Sequence, residues 1–429
     1  MINSECYDGL VARILPRLIT PVIEAALATS PVVILEGGRA TGKSTVCDDL
    51  VHRHGWAPRI DLSDPNARAT LRLDPDRFLA AQPAVCVLDE AQLEPELTLW
   101  VKRQVDARRS AGQFLITGSA RLGRDQLGGS DPLAGRSVRL RLSSMTRAER
   151  EHDLRGAASG VERAFGEGWS VGDSGRARGQ VQPGRWAGGL PSIAGVLTDA
   201  PVADWERATA AYVEAVLPLG AGEQRADLGR LLRTFRYFAA NSGQIVNYAR
   251  AASELGSQAP TVKSHLEILE SGFLLRRAEA ERPLEHRVVT AHPRVFASDV
   301  GLAAWASRAR LGSPPATTLG ALTETDVAHD LMAQADASRD RIQVRHWRDT
   351  RTQREVDLLL VHPDGRYVPV EAKASTTVGP GDTQGLVHFV RAHAGRCARA
   401  VLVYEGTRVV DLTPSGSSCQ ILAVPRILI

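Results

Sequence analysis

The chain has 429 residues, 43% of them hydrophobic and 24% charged, with a formal net charge of +3. That length exceeds one typical core, so about two to four domains are expected. No apolar run approaches the roughly 20 residues a membrane-spanning helix needs, and the small net charge confines any nucleic-acid surface to a local patch. The five cysteines are scattered without a C-x-x-C pair, which speaks against a zinc site or a disulfide framework and fits a reducing cytosol. The first 20 residues mix Glu5, Asp8, Arg13 and Arg17 among apolar positions. They do not read as a signal peptide, so a cytoplasmic protein is expected.

In chain order, residues 7–29 read as an amphipathic helix. The apolar run Val32-Val33-Ile34-Leu35 then enters Gly37-Gly38-Arg39-Ala40-Thr41-Gly42-Lys43-Ser44-Thr45. This is G-x-x-x-x-G-K-[ST] between a strand and a helix, the phosphate-binding loop. Glycines let several N–H groups face one anion at the positive end of the next helix. Lys43 is expected to reach the β- and γ-phosphates of ATP, and Ser44 to ligate Mg²⁺.

A strand is expected over 57–62 and another over 84–88, the latter ending in Asp89-Glu90. Five apolar residues delivering two acids describe a buried parallel strand ending at an active site. Asp89 is assigned to Mg²⁺ and Glu90 to the attacking water. A helix with Leu97, Trp100, Val101 and Val105 leads to the strand Gln113–Thr117 and to Gly118-Ser119. Thr117 and Ser119 either sense the γ-phosphate or form a plain turn. Arg121, Arg124 and Arg136 are candidates for a trans arginine in a homo-oligomer. Residues 138–142 supply a last strand, so strands alternate with helices around a parallel sheet.

From 154 to 187 glycines interrupt every periodicity, which reads as a flexible connector. A helix follows over 204–216. Residues 226–280 then read as helix, helix, turn with Pro260, helix and strand, the winged helix-turn-helix pattern. Val262, Leu266 and Leu269 are expected inward, Lys263 and His265 outward. DNA contact through Lys263 and the Arg276-Arg277 wing stands beside a purely structural coupling role, since Glu267 and Glu270 repel phosphate.

Further on, Glu355-Val356-Asp357 and Val370-Glu371-Ala372-Lys373 flank Pro363-Asp364-Gly365. A three-residue hairpin loop closing on Gly365 pairs 362 with 366 and sets Asp357 opposite Glu371, with Lys373 on the same face. Only four of the 52 basic residues are lysine, namely Lys43, Lys102, Lys263 and Lys373, so Lys373 is either a random survivor or a required ammonium. Asp followed by Glu-x-Lys resembles the PD-(D/E)xK nuclease-like constellation. In such a site Asp357 and Glu371 hold a metal, Lys373 polarises water, and the upstream helix adds Glu324. A plain exposed hairpin with a salt bridge is the competing reading.

Taken with Gly135-Arg136, Gly188-Gly189-Leu190-Pro191 and Ser298-Asp299-Val300-Gly301-Leu302, these motifs resemble a bacterial and archaeal family. Its members join an AAA-like P-loop ATPase to a C-terminal region with a winged helix and a restriction-endonuclease-like domain. The resemblance implies ATP hydrolysis with Mg²⁺ and a connection to DNA. The expected fold class is α/β throughout: an ATPase domain over 1–150, a Gly-rich connector and helical segment over 151–225, a winged-helix module over 226–284 and a nuclease-like domain over 285–429. The alternative function is a nucleotide-gated switch with a catalytically inactive binding platform.

Overall fold

The computed structural model describes residues 15–82, 85–119, 131–151, 159–174, 185–196, 202–221, 227–281, 292–309, 311, 314–349 and 351–429. Strands β1 (Val32–Glu36), β2 (Ile60–Asp61), β3 (Cys86–Asp89), β4 (Phe114–Gly118) and β5 (Ser137–Arg141) form one sheet in the order β2-β3-β4-β1-β5. Every pairing in it is parallel. The continuous apolar runs have a simple cause. Val32, Ile34, Leu88, Phe114 and Ile116 pack on one face of the sheet. Val33, Leu35, Val87 and Leu115 pack on the other. A strand covered by helices on both sides has no face left for polar residues.

A second sheet of nine strands uses β6 (Gln244–Ile245), β7 (Leu275–Ala280), β8 (Arg294–Ala297), β9 (Gln343–Arg348), β10 (Glu355–Val361), β11 (Tyr367–Lys373), β12 (Ala400–Tyr404), β13 (Val410–Asp411) and β14 (Ile421–Pro425). Its order is β13-β14-β12-β11-β10-β9-β7-β8-β6. The β10–β11 hairpin pairs Leu358 with Val370 and Val361 with Tyr367, which is the register read from the loop. His362 N donates to Arg366 O at 2.9 Å, and Gly365 takes φ +89°, the left-handed corner a three-residue loop requires.

The structure revises several expectations. The first helix runs only Thr20–Leu27; residues 7–14 lie outside the described residues, and Arg17 and Leu18 are instead drawn to Glu149. The strand expected over 57–62 shrinks to Ile60–Asp61. The supposed flexible connector contains the helix Gly160–Phe165, closed by a Ser159–Glu162 capping box. It is held because Val161 and Ala164 are buried against Val327 and Leu331; residues 152–158 and 175–184 lie outside the described residues. His265 is buried rather than outward, sharing a hydrogen bond with the Thr234 hydroxyl at 2.9 Å. A sheet also runs across the boundary placed at 284/285, because β8 returns antiparallel to β7 and β7 pairs with β9.

Arg276 and Arg277, expected to form a basic wing, are engaged by carboxylates of the fold. Arg276 makes a forked pair with Asp336 at 2.6 and 2.9 Å, and Arg277 pairs with Glu270 at 2.5 Å. Two of the motifs that carry the resemblance, at 188–191 and 298–302, meet in a joint. Asp299 accepts from Gly189 N at 2.8 Å, from the Ser144 hydroxyl at 2.7 Å and from Gly301 N at 2.7 Å. A Cβ on Gly189 would overlap the Met145 carbonyl, so only glycine lets this segment lie against the end of β5.

Candidate functional site

The loop after β1 curls in front of the next helix to form a cradle. Ala40 and Gly42 take φ of +58° and +96°, turning the chain so that the helix Lys43–His54 points its N-terminus back at the loop. Among the described residues, none of the backbone N–H groups of 38–42 donates to a backbone acceptor. Unsatisfied N–H groups at a helix N-terminus are what binds phosphate. Thr41 steadies the curl by donating to Gly38 O at 2.8 Å. Lys43 Nζ folds onto Gly37 O and Gly38 O, both at 2.9 Å. Burial pulls this ammonium below its ordinary pKa, opposed by the charges of Glu90 and Asp89. Arg39, Ala40 and Thr45 lie exposed around the cradle. Gly37 admits no side chain, since its Cβ would overlap the Leu142 carbonyl.

The acids converge as their spacing implied. Asp89 is 1% exposed at the end of β3. Its Oδ2 accepts from the Ser44 hydroxyl at 2.7 Å; its Oδ1 accepts from the Thr117 hydroxyl and from Glu90 N, the latter at 3.1 Å. Glu90 stands at φ +55°, a backbone state that costs a non-glycine residue about 1 kcal/mol or more. Its carboxylate accepts from Ser119 Oγ at 3.0 Å and from the Gln92 amide. Thr117 and Ser119 therefore hold the two acids. The hydroxyl and carboxylate oxygens of Ser44 and Asp89 are hard donors of the type Mg²⁺ takes.

Three contributors to this site were not recognised from sequence. Arg17, 8% exposed, braces the loop from behind: Nη1 donates to Thr41 O at 2.6 Å, Nη2 to Ser143 O at 2.7 Å and Nε to Glu149 at 3.0 Å. Arg59 Nη1 lies 2.5 Å from Asp89 Oδ2. Tyr212, from the helix Val202–Ala221, donates to Arg39 O at 3.1 Å. No local pattern marks these arginines among so many others. Of the trans-arginine candidates, Arg121 and Arg124 lie outside the described residues, and Arg136 pairs with Asp106 at 2.6 Å.

The second constellation gathers on β10, β11 and the helix Ala316–Asp336. Asp357 accepts from Ala372 N at 3.1 Å, and Lys373 Nζ stands 3.7 Å from Glu371 Oε2. Burial, then the charge of Asp357, pushes both Glu324 and Glu371 up to about 7; burial raises Asp357 as well. Arg294, 4% exposed, supplies the balancing cation: Nη2 is 3.1 Å from Glu355 and 3.7 Å from Asp357. Among the described residues no three His, Cys, Asp or Glu side chains meet closely enough to hold a metal. The expected ligand set Glu324, Asp357 and Glu371 is thus not assembled in this arrangement, where a guanidinium sits beside Asp357. Arg294 was missed because it comes from β8, some 60 residues upstream of the hairpin it serves.

Residues 29–150 match the family described as AAA domain. Residues 186–313 match a Domain of unknown function (DUF8612), and residues 319–425 another (DUF4143). Uncharacterized proteins of Mycobacterium tuberculosis and Mycobacterium bovis are each 26% identical over 411 residues, 94% of this chain and 82% of theirs. A Walker-type ATPase of Pyrococcus abyssi is similar at 15% identity and TM-score 0.39, over 67% of this chain and 94% of that one. AMPPCP-bound DnaA from Aquifex aeolicus is similar at 12% identity and TM-score 0.28, over 59% and 86%. The AAA match, the all-parallel sheet and the loop after β1 together make the N-terminal part a P-loop NTPase-like α/β fold. Among the described residues, no helix is long and apolar enough to cross a membrane.

Proposed function

We propose that the chain is an Mg²⁺-dependent ATP hydrolase whose nucleotide site is coupled to a DNA-engaging C-terminal half. The observation that carries the hydrolase reading is the convergence of Ser44 on Asp89 at 2.7 Å beside a Glu90 carboxylate held by Ser119. Lys43 and the loop N–H groups bind the phosphates, Ser44 and Asp89 hold the metal, and Glu90 accepts the proton of the attacking water. The metal, when bound, neutralises charge on the phosphate oxygens. Lys43→Ala is expected to abolish nucleotide binding. Glu90→Gln should leave binding intact and lower turnover by about 100-fold or more, since general-base catalysis contributes roughly 10²–10⁴-fold. Wild-type ATPase rates in either variant would overturn the assignment.

The order helix Leu228–Ala240, β6, helices Tyr248–Leu255 and Ala259–Ser271, β7, β8 supports a winged-helix reading, with Lys263 exposed on the third helix. The order helix Ala316–Asp336, β9, β10, β11, helix Gln384–Ala392, β12 supports a nuclease-like one. Metal-dependent nicking of DNA, lost in Asp357→Ala and Lys373→Ala, tests the cutting activity. A second reading, a nucleotide-gated switch with an inactive platform, draws on Arg294 standing beside Asp357 and on the paired wing arginines. ATPase stimulation by DNA, or salt-dependent DNA affinity, favours the first reading.

A further inference from the structure

Arg59 sits immediately before β2, whose Asp61 is in register with Asp89 of β3. That parallel pairing aims the guanidinium at the end of the neighbouring strand. Nη1 lies 2.5 Å from Asp89 Oδ2 and 3.4 Å from Asp61 Oδ2, and Nε lies 3.0 Å from Asp48 Oδ1. Asp89 Oδ1 is already taken by Thr117 and Glu90 N, so Oδ2 is the oxygen that faces Ser44. Arg59 and a divalent cation therefore compete for one carboxylate oxygen, and two cations cannot share it at contact distance without strong repulsion.

We propose that Arg59 is a charge lock on the metal position: it neutralises Asp89, opposes a divalent cation at Oδ2, and must give up that oxygen before a metal can take it. The inference rests on the reading of Ser44 and Asp89 as the Mg²⁺ pair. Arg59 is a positioning residue, acting through Asp89 rather than on the phosphates. Its guanidinium never loses its proton in water, so the lock is opened by competition and not by pH. The three surrounding carboxylates give the released guanidinium partners in Asp48 and Asp61, so opening does not strand a buried charge.

The test uses the full chain without nucleotide and Mn²⁺ as the probe, with free Mn²⁺ read by its electron paramagnetic resonance signal. Arg59→Gln is expected to bind Mn²⁺ about tenfold or more tightly than wild type, because a charge contact of this kind has been removed. Arg59→Lys, which keeps the charge, should stay close to wild type. Adding Asp89→Asn to Arg59→Gln should erase the gain, which assigns it to this oxygen rather than to Asp48 or Asp61. Equal Mn²⁺ affinity in wild type and Arg59→Gln overturns the lock, as does a gain that survives Asp89→Asn. If Arg59→Gln does not fold, Arg59→Met is measured in its place, with the half-saturating Mg²⁺ for binding of a fluorescent ATP analogue as second readout. An unchanged Mg²⁺ requirement there also overturns the proposal. Failure of the underlying site reading looks different: wild type would then bind no nucleotide, or would bind it equally well in Lys43→Ala.

Discussion

Removing Arg17 tests whether the phosphate loop depends on a brace that lies outside its own motif. Arg17→Ala deletes three hydrogen bonds, to Thr41 O, Ser143 O and Glu149. It also leaves the Glu149 carboxylate, whose side chain is 4% exposed, without its cation. Breaking a buried ion pair by removing one partner costs about 3–5 kcal/mol. Glu149 keeps Leu18 N at 2.8 Å and Thr146 N at 2.7 Å, which places this case near the lower end, about 3 kcal/mol. Urea unfolding followed by protein fluorescence should show that loss. Adding Glu149→Gln to the variant should recover part of it, since the stranded charge is then gone. Nucleotide affinity should also fall by about tenfold, the worth of one hydrogen bond to a carbonyl that shapes the loop. A loss below about 1 kcal/mol with unchanged nucleotide affinity would refute the brace.

Two further outcomes follow from other parts of the fold. Gly189→Ala forces a methyl group into the Met145 carbonyl; such overpacking costs about 1–3 kcal/mol and should lower the melting temperature, and an unchanged melt would mean the joint at Asp299 gives way freely. The carboxyls of Glu324 and Glu371 are raised from 4.5 to about 7 in the folded chain. A group raised on folding binds more protons in the folded state, so its contribution is fully present below pH 4.5 and is lost as pH rises through about 7. The fold around these two carboxyls should therefore weaken between those limits. Glu371→Gln should flatten the pH dependence of its unfolding midpoint, and an identical slope in the variant would remove Glu371 from the account.

Local chemistry carried the loop after β1. Strand, loop and helix are adjacent in sequence from Val32 to His54, so the cradle is built from neighbours and its residues could be named one by one. The β10–β11 register was legible for the same reason: Pro363-Asp364-Gly365 favours a three-residue loop over a two-residue Asp-Gly turn, which would have paired 357 with 372, and the three-residue loop places Asp357 and Glu371 on one face. The misreadings share an opposite cause. The helix Gly160–Phe165 is short and lies among glycines, and it is held by Val327 and Leu331 more than 160 positions away. His265 looked like a surface residue until the helix Leu228–Ala240 supplied Thr234 as its partner. Arg276 and Arg277 read as a basic wing because their partners Asp336 and Glu270 come together with them only in the folded sheet and helix.

The sequence by itself determined the loop, the acids after β3 and the hairpin with its Asp, Glu and Lys, since spacing and turn chemistry act over a few residues. Only the tertiary structure decided which cations the buried acids face. Arg17, Arg59 and Arg294 reach Glu149, Asp89 and Asp357 across 132, 30 and 63 positions of chain. In a protein whose basic residues are nearly all arginine, nothing local distinguishes these three. A long side chain is assigned its carboxylate by packing, because charge pairing depends on distance in space and burial, and neither is written in the neighbouring residues.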